Sequence, residues 1–379
     1  MEKNNVERIN NLTAAQEGIL FQILSNKYHS KYSVQRLYKS KIPLDIEKCQ
    51  KILDKLTDMY VALRTVIIYK DVKQPVAVTL KNIKNKVNLF KVNNSEELNE
   101  TCERRYLKRF DIQTDSAVRM DIIKSDTDYY LCLTTNHLLV DGKSFENLIL
   151  SFIKLYNDKM VNTNLNDNIF GAYSNFYSSV KKENQDYWNE KVSNIKSDYH
   201  LYDIFSEKSC KSEWLHQSTS FKGTQFDKLK QLSSSWNVTI NNILEYLWGV
   251  TQARLSLSKN ILFARATSGR SWELDSIDDE VGNFVNIVPV IFNIDYGMTI
   301  KESVVSFNSK SLNDNIHQFY PFSDIVKVAP TNNFSSLVVN NNYSEEDTSH
   351  FLEKNMKRRK MNFLYTLLLV VTKIVLKLR

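Results

Sequence analysis

The chain has 379 residues, enough for about two to three ordinary domains or one large two-lobed one, and enough to bury a substantial core without disulfide help. Hydrophobic residues make up 42% and charged residues 25%, which excludes a mainly disordered or fibrous protein. The net charge is +7, but Lys and Arg are scattered except at the far C-terminus. That pattern argues against nucleic acid and suits an acidic protein partner, since steering follows summed charge.

Cys49, Cys102, Cys132 and Cys210 are far apart and form no Cys-x-x-Cys pair, so they read as buried small hydrophobes rather than a zinc site or disulfide framework. No metal is expected. The start, Met1-Glu2-Lys3-Asn4-Asn5, leads into polar sequence without an apolar h-region, so the expectation is no secretory signal and a reducing cytoplasm. Glycine and proline are scarce and no repeat is evident. Long amphipathic helices mixed with alternating strands predict an α/β fold, an α+β sandwich.

In chain order, Thr13-Ala14-Ala15-Gln16 has capping-box spacing and opens a helix that turns Ile19, Leu20 and Ile23 inward. Cys49, Ile52, Leu53, Leu56, Met59, Tyr60 and Leu63 follow helical spacing, and the β-branched run Thr65-Val66-Ile67-Ile68 then predicts a strand. A second strand follows from Val118, Met120 and Ile122 alternating with Arg119, Asp121 and Ile123. Between Tyr129 and His137, strand alternation places Tyr129, Leu131, Leu133, Thr135 and His137 on one face and Tyr130, Cys132, Thr134 and Asn136 on the other. After a turn at Asp141-Gly142, Phe145, Leu148, Ile149, Phe152, Leu155 and Tyr156 form a helical stripe. The later half repeats the mixture, with a helix carrying Ile243, Leu244, Leu247 and Trp248 and strands at Ile261 to Ala264 and Ile287 to Phe292.

His137 therefore stands at a strand end, close to the start of a helix whose first-turn N–H groups lack partners within the helix. An imidazole can take a proton from an attacking amine or alcohol, and nearby N–H donors can hold the oxyanion that forms on a carbonyl. The spacing alone is nearer to that of a satisfied histidine beside an ordinary Asp-Gly turn than to a catalyst. The remaining histidines, His29, His200, His216, His317 and His350, read as surface or packing residues.

The segment Asn136-His137-Leu138-Leu139-Val140-Asp141-Gly142 resembles the His-His-x-x-x-Asp-Gly motif of condensation domains from nonribosomal peptide synthetases, and Lys143-Ser144 resembles its continuation. Other motifs of that family follow in order. They are Leu12-Thr13-Ala14-Ala15-Gln16, Leu63-Arg64-Thr65, Tyr173-Ser174-Asn175-Phe176, Val281-Gly282-Asn283-Phe284-Val285-Asn286 and His317-Gln318-Phe319-Tyr320-Pro321-Phe322, with smaller matches at Asp186-Tyr187-Trp188 and Ser268-Gly269-Arg270.

The resemblance implies two chloramphenicol-acetyltransferase-like lobes in a V-shaped pseudo-dimer, residues 1–170 and 171–355, with a tail over 356–379. It implies amide, or else ester, formation between a carrier-bound acyl thioester and an acceptor. His137 would deprotonate or position the acceptor, and Gly142 would let the backbone approach the reacting carbonyl. Asp141 would hold the loop through an arginine, with Arg64 and Arg270 the candidates. Asn136, Ser144 and Asn286 would support the site. Substrates would ride on the phosphopantetheine of carrier proteins supplied in trans, alone or with other synthetase modules, and no cofactor would bind directly.

Two departures stand out. Asn136 occupies the place of the motif's first His, and an amide cannot shuttle protons at neutral pH; Tyr60 and Asn175 are milder changes. Beyond Asn333-Phe334-Ser335-Ser336-Leu337-Val338-Val339, which resembles the seventh motif, the family's continuation gives way to Lys357-Arg358-Arg359-Lys360 and an apolar run from Asn362 to Val371. That run falls short of the roughly 20 residues of a membrane span. An interfacial membrane contact, a core helix replacing missing second-lobe elements and a truncated reading frame all remain open, and the second lobe is expected to be incomplete. The alternatives to a condensation enzyme are an epimerisation-type or small-thioester enzyme and an inactive docking or scaffold module.

Overall fold

The computed structural model describes residues 3–25, 32–162, 164–193, 195, 223–329, 334, 336–341, 352–354 and 366–370. His29, His200, His216, His350, Cys210 and the basic cluster at 357–360 lie outside the described residues.

Two compact units emerge from the chain, and the division is not a single cut. The first takes Met1–Ser179, Arg270–Val285 and Ser344–Arg359; the second takes Val180–Gly269, Asn286–Tyr343 and Lys360–Arg379.

In the first unit, β1 (Val6–Asn11), β3 (Thr65–Ile68) and β4 (Val76–Leu80) make a three-stranded sheet in the order β1-β4-β3. A five-stranded sheet combines β2 (Ser33–Ser40), β5 (Asn88–Lys91), β6 (Val118–Lys124), β7 (Tyr129–Asn136) and β11 (Leu352–Lys354), in the order β11-β2-β7-β6-β5. Alternation sorts its two faces. Val118, Met120 and Ile122 of β6 and Leu131 and Leu133 of β7 join α2 (Ile46–Met59) and α4 (Gly142–Tyr156) in the main core. Ile123, Tyr130 and Cys132 turn the other way, to pack with Leu98 and Cys102 of α3 (Ser95–Leu107). A helix thus covers each face, so the central strands are apolar on both.

The expected capping box opens α1 (Ala14–Ser25): the Thr13 N–H donates to Gln16 Oε1 at 2.9 Å, and the Gln16 N–H donates to Thr13 Oγ1 at 3.2 Å. Leu20 and Ile23 go inward, as their spacing requires, while Phe21 and Leu24 stay exposed. Helix α2 stops at Tyr60, and a 3-10 turn over Val61–Arg64 then carries Leu63 into the core. All six residues of the predicted α4 stripe are buried.

In the second unit, β8 (Asn260–Thr267), β9 (Asn286–Asn293), β10 (Leu337–Asn341) and β12 (Thr366–Val370) form a sheet in the order β12-β10-β8-β9. Ile261 and Phe263 face α5 (Ile240–Ser256) and α6 (Ile300–Ile316), whereas Leu262 and Ala264 pack with Trp188, Tyr320 and Ile325. Ile243 of α5 is buried, but Leu247 is half exposed.

The structure narrows the readings left open for the apolar tail. Thr366–Val370 is a strand, not a helix, and pairs antiparallel with β10 from Leu337↔Val370 to Asn341↔Thr366. A short Leu/Val run serves a strand as well as a helix, and an open ladder on β10 decides between them.

Candidate active site

The turn between β7 and α4 carries the motif residues, and its local bonds follow from their side chains. Asn136 closes the strand: its Oδ1 accepts the Leu138 N–H at 3.0 Å, and its carbonyl accepts the N–H groups of Leu139 and Val140. The side chain of Asn136 is thus engaged in its own turn and is buried. The His137 N–H donates to the Tyr32 carbonyl at 2.7 Å. Its ring Nδ1 lies 3.1 Å from the Val140 carbonyl oxygen, which can only accept, so in the neutral ring Nδ1 carries the proton. Nε2 then presents a lone pair. The ring is part-buried, whereas Leu138, Leu139 and Val140 are fully so.

Asp141 is the N-cap of α4, its Oδ1 taking the Ser144 N–H at 2.8 Å. Its carboxylate also accepts from Arg270 Nη1 at 2.8 Å, from Arg270 Nη2 at 3.2 Å and from the Phe284 N–H at 3.2 Å. Of the two arginines considered for Asp141, Arg270 makes the pair. Arg64 instead binds Glu7 and the Leu80 carbonyl, because the 3-10 turn that carries it lies against β4, the strand paired with β1.

Ser144 ties the same knot. Its hydroxyl donates to the Gly282 carbonyl at 2.7 Å and accepts from the Gly282 N–H and from Arg270 Nη2, both at 2.9 Å. The segment Arg270–Val285 thereby becomes part of the first unit, further held by Asn147 Nδ2, which donates to the carbonyls of Asp278 and Glu280. Phe284 lies under the Arg270 guanidinium, 4.9 Å from its ring centroid, and packs on Phe170 and Tyr173. Tyr173, from the fourth motif, is thus a floor to the knot, and its burial pushes its phenol well up.

Asn286 is placed elsewhere, its Nδ2 donating to the carbonyls of Gln318 and Tyr320 within the second unit. There the sixth motif meets Asp186-Tyr187-Trp188: Tyr187 stacks on His317 at 3.9 Å, and Trp188 Nε1 donates to the His317 carbonyl at 2.7 Å.

Sequence reasoning missed Asn283, whose Nδ2 donates to the His137 carbonyl at 2.6 Å, and Glu280, a fully buried carboxyl. Only their place in or beside Val281–Asn286 pointed toward them. Burial, with the Asp279 charge adding to it, raises the Glu280 carboxyl to about 7 against the opposing pull of the Asn166 N–H and Arg270. Among the described residues no His, Cys, Asp and Glu cluster could hold a metal ion, and no helix is long and apolar enough to cross a membrane.

A family model described as the condensation domain matches residues 6–370. Its reach to residue 370 includes β12, so the apolar tail that the sequence sets apart from the family falls within the match. Surfactin synthase subunit 3 of Bacillus subtilis is 24% identical over 360 residues, which are 92% of this chain and 28% of that protein. The chain spans still smaller shares of other curated relatives, such as 9% of tyrocidine synthase 2 of Brevibacillus parabrevis. Among solved structures, the condensation domain of the monacolin K polyketide synthase MokA superposes with a TM-score of 0.74 at 15% identity, covering 88% of this chain and 82% of that one. The starter condensation domain of rhizomide synthetase, in complex with C8-CoA and Leu-SNAC, reaches 0.71 at 12% identity over 87% and 78% of the two chains. A motif turn locked by Asp141 and Arg270, a shared fold and a family match over nearly the whole length agree: this chain belongs to the condensation-domain family.

Proposed function

We propose that the chain forms an amide, or an ester, from an acyl thioester held on a carrier protein and an acceptor held on another, with His137 as the general base. The observation that carries this is the His137 Nδ1 contact to the Val140 carbonyl, which leaves Nε2 as the proton acceptor. In the step, Nε2 takes the proton from the acceptor amine as its nitrogen attacks the thioester carbonyl; the C–S bond then breaks and the proton leaves with the thiol. The Ser144 N–H is taken by Asp141 and the Phe145 N–H by the Asp141 carbonyl. Gly142 and Lys143 therefore keep the first-turn N–H groups available to a developing oxyanion.

Asp141 holds the turn, its carboxylate accepting from Arg270 and from two backbone N–H groups. The rhizomide domain, with its thioester ligands, supports thioester substrates, and the net charge of +7 supports carrier partners of opposite charge. The tie of the Asp141–Gly142 turn to Gly282 supports a preorganised site.

The test is to incubate the protein with acyl-loaded carrier and an aminoacyl carrier, and to follow product by mass spectrometry. Replacing His137 with Ala is expected to lower turnover by about 10²–10⁴-fold. Equal product from both proteins sinks the base assignment, and carrier binding without product from either favours a docking module.

A further inference from the structure

We infer that Asn283 is a positioning residue for His137, fixing the backbone of the histidine so that its ring offers Nε2 in one orientation; this rests on the reading of His137 as the base. The ring is oriented by Val140, three residues along the same turn, so it stands correctly only while the turn keeps its shape. Besides the bonds to the Asp141 carboxylate, bonds from outside the turn to its backbone hold that shape. The His137 N–H reaches Tyr32, the Asp141 N–H reaches the Gly282 carbonyl at 3.2 Å, and the His137 carbonyl receives Asn283 Nδ2. Both residues flanking Asn283 bind Asp141, Gly282 through its carbonyl and Phe284 through its N–H. One short segment therefore grips the start and the end of the motif turn together.

Asn283 does this at a cost to stability. Its partner is a carbonyl, so the amide must present its nitrogen, and Oδ1 is left buried with no hydrogen-bond partner among the described residues. A residue chosen for stability would not leave a buried acceptor unmet. An apolar side chain of similar shape removes the orphan oxygen but also takes this donor from the His137 carbonyl, so the two effects on stability offset while the hold on the turn is lost.

The experiment compares wild type, Asn283→Leu, Asn283→Ala and His137→Ala. The ring nitrogens of 15N-histidine-labelled protein are read by two-bond proton–nitrogen correlation, with the His137 signals identified by their loss in His137→Ala. Turnover is read with acyl-loaded and aminoacyl carriers, and stability by thermal melting. The expected result is a wild-type His137 in its Nδ1–H tautomer and, in Asn283→Leu, ring signals moved toward a tautomer mixture. The same variant should lose about 10- to 100-fold in kcat with KM and melting temperature little changed. Should Asn283→Leu fail to fold, Asn283→Ala carries the same readings without added bulk. Unmoved His137 ring signals with unchanged turnover overturn the inference, as does a turnover that falls only in step with melting temperature. Full turnover in His137→Ala sinks the base reading instead, and the ring spectrum, which needs no substrate, still decides whether Asn283 sets the ring.

Discussion

Asp141 accepts from Ser144, Phe284 and both Nη atoms of Arg270, with no exposed side-chain surface on the acid and 3% on the arginine. Removing one partner of such a pair leaves the other charge buried and uncompensated. Replacing Asp141 with Ala should therefore destabilise the protein by about 3–5 kcal/mol, read from urea unfolding, and replacing Arg270 with Met by a similar amount. The double variant should cost less than the sum of the two, because the orphaned charge disappears with its partner. Glu280 makes a different prediction. The folded protein holds its proton up to about pH 7, whereas the unfolded chain releases it near 4.5, so its contribution is fully present below about pH 4.5 and is lost as pH rises toward 7. The loss is on the order of 3 kcal/mol. Glu280→Gln keeps an acceptor for the Asn166 N–H without a charge, so its unfolding free energy should vary less between pH 5 and 8 than that of wild type.

Among the elements, α4 is the one whose start decides the site. Its apolar stripe binds it to α2 and the five-stranded sheet, which leaves the Asp141 cap no freedom to drift from Arg270. Gly282 sits where a Cβ would come within 2.4 Å of the Phe284 ring, the ring on which Arg270 lies. Gly282→Ala should push that ring aside and cost about 1–3 kcal/mol in unfolding free energy, the usual range for overpacking. Were Gly282→Ala as stable as wild type, the packing of Phe284 under Arg270 would not be the constraint described. His137, the Asp141–Gly142 turn and both strand faces were legible in the sequence, since alternation and capping depend on neighbours along the chain. Asn283 was not, because nothing local to it shows that its amide meets a carbonyl 146 residues away.

For the molecule as a whole, the second unit's sheet depends on β12, which covers the outer edge of β10. A chain ending at residue 365 should expose that edge and lose solubility, with light scattering rising as it is concentrated. A truncated protein that stays monodisperse at the wild-type concentration would show the edge to be harmless.

Taken by itself, the amino-acid sequence determined the mixed α/β class, the capping box at Thr13, the inward and outward faces of β6 and β7 and the motif around His137, all of which arise from short-range periodicity and side-chain chemistry. Only the tertiary structure decided that Arg270 rather than Arg64 holds Asp141, that Asn286 serves Gln318 and Tyr320 while Asn283 serves His137, and that the apolar tail pairs as a strand. The reason is physical. Which arginine meets a buried carboxylate, and whether a short apolar run becomes strand or helix, depends on partners far away in the chain, and no local spacing records them.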